Sequence, residues 1–233
     1  MRAANCLRPV EINRQSWGQA PGRVLYQSGE TVVLCTASVQ SRVPDWMVGK
    51  GKGWVTAEYN MLPHSTGSRK NRDRSGKVDG RTTEIQRLIG RSLRAIVDLE
   101  ALGEHMITVD CDVLQADGGT RTAAITGGYI ALVDAIRSVL PEAQIGTPPV
   151  IDSVAAVSVG VVDNEIVLDL DYPLDFAAQV DMNVVMTGSG RFVEIQGTGE
   201  EATFDDDQLA AMLKLARSGI AELTERQRTA LAN

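Results

Sequence analysis

Apolar spacing along this chain switches between period two and helical period in blocks, not in regular alternation, and that order rules out most architectures. RVLYQSGETVVLCTASV, residues 23–39, reads as two β-branched-rich strands joined by a Ser-Gly turn. Residues 155–170 repeat the plan, with AAVSVGVV and EIVLDL flanking Asp163-Asn164. A third hairpin is expected from Val184 to Gln196, turning at Gly188-Ser189-Gly190. Helical spacing appears three times. Thr83-Glu-Ile-Gln86 has the spacing of a capping box, and Ile85, Leu88, Ile89, Leu93, Ile96 and Val97 recur behind it. A second helix is predicted from about Thr120 to Leu140, stopped by Pro141. The third starts in Asp205-Asp-Asp207 and buries Leu209, Met212, Leu213, Ala216, Ile220 and Leu223. Strands and helices grouped in this way favour the α+β class over a doubly wound sheet.

At 233 residues and 43% hydrophobic the chain can bury a substantial core, as one large domain or two small lobes. No apolar run approaches the ~18 residues of a membrane span, and the chain reads as soluble and cytoplasmic. The odd, widely spaced Cys6, Cys35 and Cys111 lack a C-x-x-C pair and are read as buried thiols. Two histidines, His64 and His105, leave little material for Ser-His-Asp or Cys-His catalysis. A formal net charge of -7 argues against a generally basic nucleic-acid surface, so any such site must be local. One local basic stretch exists. Residues 64–81 carry Arg69, Lys70, Arg72, Arg74, Lys77 and Arg81 against Asp73 and Asp79, lack apolar anchors, and are expected to form a mobile loop.

DGGTRTAAITGG, residues 117–128, begins as a loop and ends as a helix. Its two glycines let the backbone approach a neighbour, Thr120 can cap, and Arg121 falls in the first turn, where the helix dipole disfavours a cation. Free N–H groups at a helix start bind anions, and Arg121 offers a two-donor fork for phosphate oxygens; the alternative is a glycine turn with a surface arginine. Neither G-x-G-x-x-G nor a Walker loop occurs.

Acids lie nearby in sequence. Asp110 and Asp112 share one face of a predicted strand and, with Asp117, are read as orienting the turn. Among Asp169, Asp171, Asp175 and Asp181, the first two are assigned to the solvated face of a strand. Asp175 and Asp181 flank a short Ala-Ala segment before a β-prone run. Fully extended, their Cα atoms would stand ~20 Å apart, too far to share a metal. Wound as a helical turn, the same span is roughly 9 Å, so a common site requires that Phe176 to Val180 is not a continuous strand. Arg87, Arg91 and Arg94 lie opposite the apolar stripe of the first helix, either as a solvated face or as a subunit interface or RNA track.

GKGWVTAEYNMLPHST, GRTTEIQRLIGRSLRA, ITVDCDVLQADGGTRTAAITG, DMNVVMT and VEIQGTGE, in this order, resemble the bacterial ribonuclease PH family from about Leu7 to the terminal ALAN. The resemblance implies a single ribonuclease PH domain over residues 1–233, with mixed β-sheets packed against helices in βαβ-type units. It implies phosphate binding by Arg81, Gly119, Thr120 and Arg121, a catalytic and metal-binding role for Asp175 and Asp181, and RNA contact by Arg69 and Arg72. The implied activity is phosphorolytic 3′ trimming of tRNA precursors and other RNA. It uses Mg²⁺ or another divalent cation, and inorganic phosphate as co-substrate, in a homohexameric ring built as a trimer of dimers. His64 replaces a common arginine and Phe176 a common serine, and the amino terminus is short. An inactive RNA-binding ring subunit and a hydrolytic metal nuclease are the competing readings.

Overall fold

A computed structural model of the chain describes residues 2–14, 17–72, 79–199 and 202–232. Two sheets share one central helix. The first sheet contains β1 (Val10–Asn13), β2 (Gly22–Ser28), β3 (Thr31–Gln40), β4 (Trp54–Met61) and β5 (Met106–Gln115), in the order β1-β2-β3-β5-β4. Only β4 and β5 run parallel. The crossover between them carries α1 (Gly80–Arg94) and α2 (Leu99–Leu102), a βαβ unit inside an otherwise antiparallel sheet. After β5 comes α3 (Thr120–Val139). The second sheet is antiparallel throughout, in the order β7-β6-β8-β9, from β6 (Val154–Val162), β7 (Glu165–Leu168), β8 (Val180–Thr187) and β9 (Phe192–Gly199). A short α4 (Tyr172–Ala177) separates β7 from β8, and α5 (Asp206–Ala232) closes the chain.

All three expected hairpins form. Asp163 and Asn164 take positive φ of 49° and 63°, the left-handed pair that a two-residue turn between right-twisted strands requires. α3 is buried almost all round, because β2 and β3 cover one side and β6 another. At Gly127 a Cβ would meet the Tyr26 side chain at 2.8 Å and Cys35 Sγ at 3.0 Å, so the small residue sets how near the helix lies to the sheet. β6 is buried on both faces. Val154 and Ala156 join the core around α3, while Ala155, Val157, Val159 and Val161 join Met212, Ala216, Ile220 and Leu223 of α5. Leu209 and Leu213, expected inside, are half-buried against that second cluster. Among the described residues no helix is long and apolar enough to cross a membrane.

Two local expectations are corrected. The Thr83–Gln86 capping box is not used: α1 starts at Gly80, and Asp79 caps it by accepting from Thr82 N at 2.6 Å. A reciprocal box occurs instead at α5, where Asp205 Oδ1 accepts from Gln208 N and Gln208 Oε1 accepts from Asp205 N. Cys35 and Cys111 are buried opposite one another on β3 and β5, but Cys6 is exposed.

Candidate active site

The site begins where β5 ends. Asp117 N donates to Thr31 Oγ1 at 2.9 Å, and that hydroxyl donates to Gly118 O at 2.7 Å, fixing the chain as it leaves the sheet. Gly118 and Gly119 then take φ of 72° and 65°. A side chain at Gly118 would press on Leu170 O at 2.6 Å, so glycine is needed for space as well as for conformation. Gly119, not Thr120, is the N-cap of α3, and the first intrahelical bond runs from Ala123 N to Gly119 O at 3.0 Å. The amides of Thr120, Arg121 and Thr122 therefore lie ahead of the helical ladder, the arrangement that receives anions. Thr120 is held by a 2.8 Å hydrogen bond between its hydroxyl and that of Tyr59, whose pKa burial pushes up.

Behind the turn stands an ion pair that sequence reading assigned elsewhere. Asp169, expected on a solvated strand face, is 5% exposed and sits just past β7 at φ 56°. Its carboxylate accepts from Arg8 N at 2.8 Å, Arg8 Nε at 3.0 Å and Arg8 Nη2 at 2.7 Å. Arg8 Nη1 donates to Asp117 O, which ties the amino-terminal segment to the glycine turn. A carboxylate inside an apolar run requires such a partner. The sequence signalled the need but not the residue, because Arg8 lies far away in the chain. Asp171, expected beside it, is the N-cap of α4 and accepts from Leu174 N at 3.1 Å.

Arg121 and Arg81 reach the site from the first turns of α3 and α1. Arg121 Nη1 donates to Glu84 Oε1 at 3.2 Å and to Gln196 Oε1 at 2.6 Å. Its side chain is 15% exposed, so Glu84 offsets both the burial of the guanidinium and the unfavourable dipole. Glu84, Gln196 and Tyr59 were not legible as site residues; only the period of α1, which sets Glu84 one turn after Arg81, hinted at the first. The start of α1 is pinned by Asp79, whose pKa drops to about 2 because Thr82 N and Lys70 stabilise its charge. Lys70 Nζ lies 2.9 Å from Asp79 Oδ2.

Asp175 and Asp181 arrive from α4 and β8. The chain between them is not a continuous strand: α4 ends at Ala177, Gln179 N bonds Val161 O, and β8 starts at Val180. Period two along β8 then sends Met182, Val184 and Met186 into the core with α5 and puts Asp181 and Asn183 on the opposite face. Both carboxylates line a cleft of about 970 Å³ together with Arg81, Gly118, Gly119, Thr120, Arg121, Ser158, Asn183 and Gln196. Among the described residues no group of three or more His, Cys, Asp or Glu side chains could hold a metal ion. Two carboxylates beside an anion site nevertheless fit Mg²⁺, which binds through one or two carboxylates, waters and substrate phosphates.

Other candidates lie outside the cleft. Arg69 and Arg72 are exposed on the segment that follows Thr66 at the cleft rim. Arg74 and Lys77, and with them the centre of the expected mobile loop, lie outside the described residues. Asp110 and Asp112 do not orient the turn: they face outward beside Glu58 on the far side of the first sheet, and burial followed by Glu58 raises the pKa of each. Asp117 does orient it, accepting from Tyr172 N at 3.2 Å. On α1, Arg91 pairs with Glu194 at 3.2 Å, and Arg94 donates to Val55 O while covering the Trp54 ring, so neither is merely solvated.

Models of the 3′ exoribonuclease family, domain 1 and domain 2, match residues 6–137 and 152–219. The chain belongs to the 3′ exoribonuclease family. This exoribonuclease is 69% identical to Ribonuclease PH of Rhodopirellula baltica over 97% of its own length and 94% of that protein's. Its fold is shared with rice (Oryza sativa) Rrp46, at a TM-score of 0.81 and 18% identity, covering 100% of this chain and 98% of that one. It is shared too with the Archaeoglobus fulgidus exosome solved with RNA at its active site, at 0.79 and 20%, covering 97% and 90%. The exoribonuclease thus has the ribonuclease PH-like α+β architecture, with two sheets and five helices among the described residues.

Proposed function

We propose that the protein shortens tRNA precursors and other RNA from the 3′ end by phosphorolysis, acting in the cytoplasm as a homohexameric ring. One observation carries the reading: Asp175 and Asp181 line the same cleft as Arg81, Arg121 and the amino-terminal turn of α3, in a chain 69% identical to Ribonuclease PH. In this reading Arg81, Gly119, Thr120 and Arg121 hold inorganic phosphate, and Arg69 and Arg72 hold the RNA backbone upstream.

The bound phosphate attacks the terminal phosphodiester in line. A P–O–P linkage forms, the P–O bond to the penultimate 3′ oxygen breaks, and the last residue departs as a nucleoside diphosphate. Two phosphate groups must approach one another, so the fixed guanidinium groups and the α3 amides stabilise the charge that develops on the transferred group. Bound by Asp175 and Asp181, Mg²⁺ or another divalent cation would supply further neutralisation there. One of the two carboxylates delivers a proton to the leaving oxygen. Glu84 and Gln196 keep the Arg121 fork in place between turnovers. Both sheets pack on α3, and we assign residues 1–233 to one cooperative unit, expected to melt in a single calorimetric transition.

The test is digestion of a tRNA carrying extra 3′ residues, titrated with phosphate. Nucleoside diphosphates are expected in proportion to added phosphate, and Asp181→Asn is expected to abolish them while RNA still binds. Monophosphates formed without phosphate would identify hydrolysis. Binding with no product from the wild type would identify an inactive ring subunit.

A further inference from the structure

α4 presents an aromatic face to the cleft. Tyr172, Asp175 and Phe176 stand at i, i+3 and i+4 and so share one side of the helix. On its other side Leu174 packs with Val162, Val167, Leu170 and Ala178. Phe176 is 82% exposed and Tyr172 62% exposed. Their rings lean together, with centroids 6.3 Å apart and planes inclined by 34°, within the range at which aromatic pairs hold one another in place. Both rings line the same cleft as Asp175, Asp181, Arg81 and Arg121, and among the described residues they are the aromatic side chains that do so.

The pair is also coupled to the phosphate turn. Tyr172 N donates to Asp117 Oδ1 at 3.2 Å, and a Cβ on Gly118 would meet Tyr172 N at 2.9 Å, so the start of α4 lies directly against the glycines. The cleft therefore offers two complementary surfaces at a fixed offset: a flat apolar face, and guanidinium groups with a helix amino terminus. An apolar protein segment covering the rings would also cover those cations without neutralising them, which is costly. A nucleotide satisfies both surfaces, because its base has a π-face and its phosphate a negative charge.

Resting on the exoribonuclease reading above, we propose that Tyr172 and Phe176 form a base platform, on which a nucleobase near the 3′ end of single-stranded RNA stacks against Phe176. Phe176 has no hydrogen-bonding group to read a base edge, so the platform holds any base, which suits removal of tails of mixed sequence. Its task is to set the terminal phosphodiester at a constant distance from the attacking phosphate.

The experiment uses the full-length protein and short single-stranded RNAs in which one of the last four residues is abasic. Binding is measured by fluorescence anisotropy in phosphate-free buffer. For the wild type, one abasic position should weaken binding by about 5- to 160-fold, the range for base–aromatic stacking. Phe176→Ala should weaken binding of the intact RNA by a similar factor and become indifferent to that abasic position. Phe176→Tyr should restore both behaviours, and the KM for phosphate should stay unchanged in both variants. Equal abasic penalties in the wild type and Phe176→Ala would overturn the platform. So would an altered particle mass in sedimentation that alone accounts for the loss, which would make the rings a subunit contact. Product analysis of the wild type on the intact RNA separates the two readings: no nucleoside diphosphate sinks both, whereas diphosphate release with equal penalties sinks only the platform.

Discussion

Arg8 and Asp169 form a buried ion pair, Nη2 to Oδ1 at 2.7 Å, that holds the glycine turn at the head of α3 from behind. Removing one partner of such a pair leaves an uncompensated buried charge. Asp169→Ala is expected to cost about 3–5 kcal/mol, a fall in Tm on the order of 10 °C. Calorimetry reads that loss, and steady-state kinetics should show a raised KM for phosphate because Arg8, no longer held by Asp169, ceases to position Asp117 O. Arg8→Met combined with Asp169→Leu should recover part of the stability but not the phosphate KM. Equal stability of Asp169→Ala and wild type would remove the brace.

Gly119 sits at φ 65°, and a Cβ there would meet Arg8 Nη2 at 2.9 Å. Gly119→Ala should cost about 1–2 kcal/mol from the left-handed conformation alone, a Tm lower by about 3–6 °C. Gly67 has open space around its missing Cβ and no positive φ, so Gly67→Ala should show no loss. A thermal melt of the two variants side by side checks the contrast.

Arg69 and Arg72 are exposed, with Arg69 Nη1 donating only to nearby Asn71 Oδ1 at 3.2 Å among the hydrogen bonds of the described residues. If the basic loop neutralises ~3 phosphates of a single-stranded tail, log affinity falls with log salt at a slope near about -2. Arg69→Ala with Arg72→Ala should flatten that slope to about -0.7, since each lost contact removes ~0.7. Binding isotherms at four salt concentrations measure it; an unchanged slope argues against the assignment.

Asp110 carries a raised pKa, first because it is partly buried and then because Glu58 and Asp112 crowd it with like charge. A carboxyl raised in the folded state stabilises the fold while protonated. That contribution is complete below the ordinary value of 3.8 and is lost as pH rises through the higher folded value. At neutral pH the ionised group is therefore a burden. Asp110→Asn should raise Tm at pH 7, and the gain should shrink to nothing as pH falls below the ordinary carboxylate range. A gain that persists at low pH would point to another cause.

The strand and turn chemistry was open to reading because it is local. The chain turns at Gly29, next after Ser28, and at Asp163-Asn164, where the residue types allow positive φ, and α3 begins where Gly118 and Gly119 allow the left-handed entry. Alternation along β8 likewise dictates that Asp181 and Met182 point to opposite faces whatever lies beyond them. Where local rules failed, a neighbour in space had intervened. Thr83 has good capping chemistry, yet Asp79 caps α1, aided by Lys70. Asp169 resembles a solvated strand residue until Arg8 is brought beside it.

The sequence alone determined the three hairpins, the three long helices with their apolar stripes, and that Asp175 and Asp181 could share a site only if the chain between them is not extended. Resemblance of motifs supplied the roles. Only tertiary structure decided that α1, α3, α4 and β8 deliver Arg81, Arg121, Asp175 and Asp181 to one cleft, that Glu84 and Gln196 hold Arg121, and that Phe176 stands exposed beside them. The reason is that steric preference and periodicity act over one or two turns of chain and state which side is buried. What lies across that side is set by sheet order and by packing on α3, which join residues far apart in sequence.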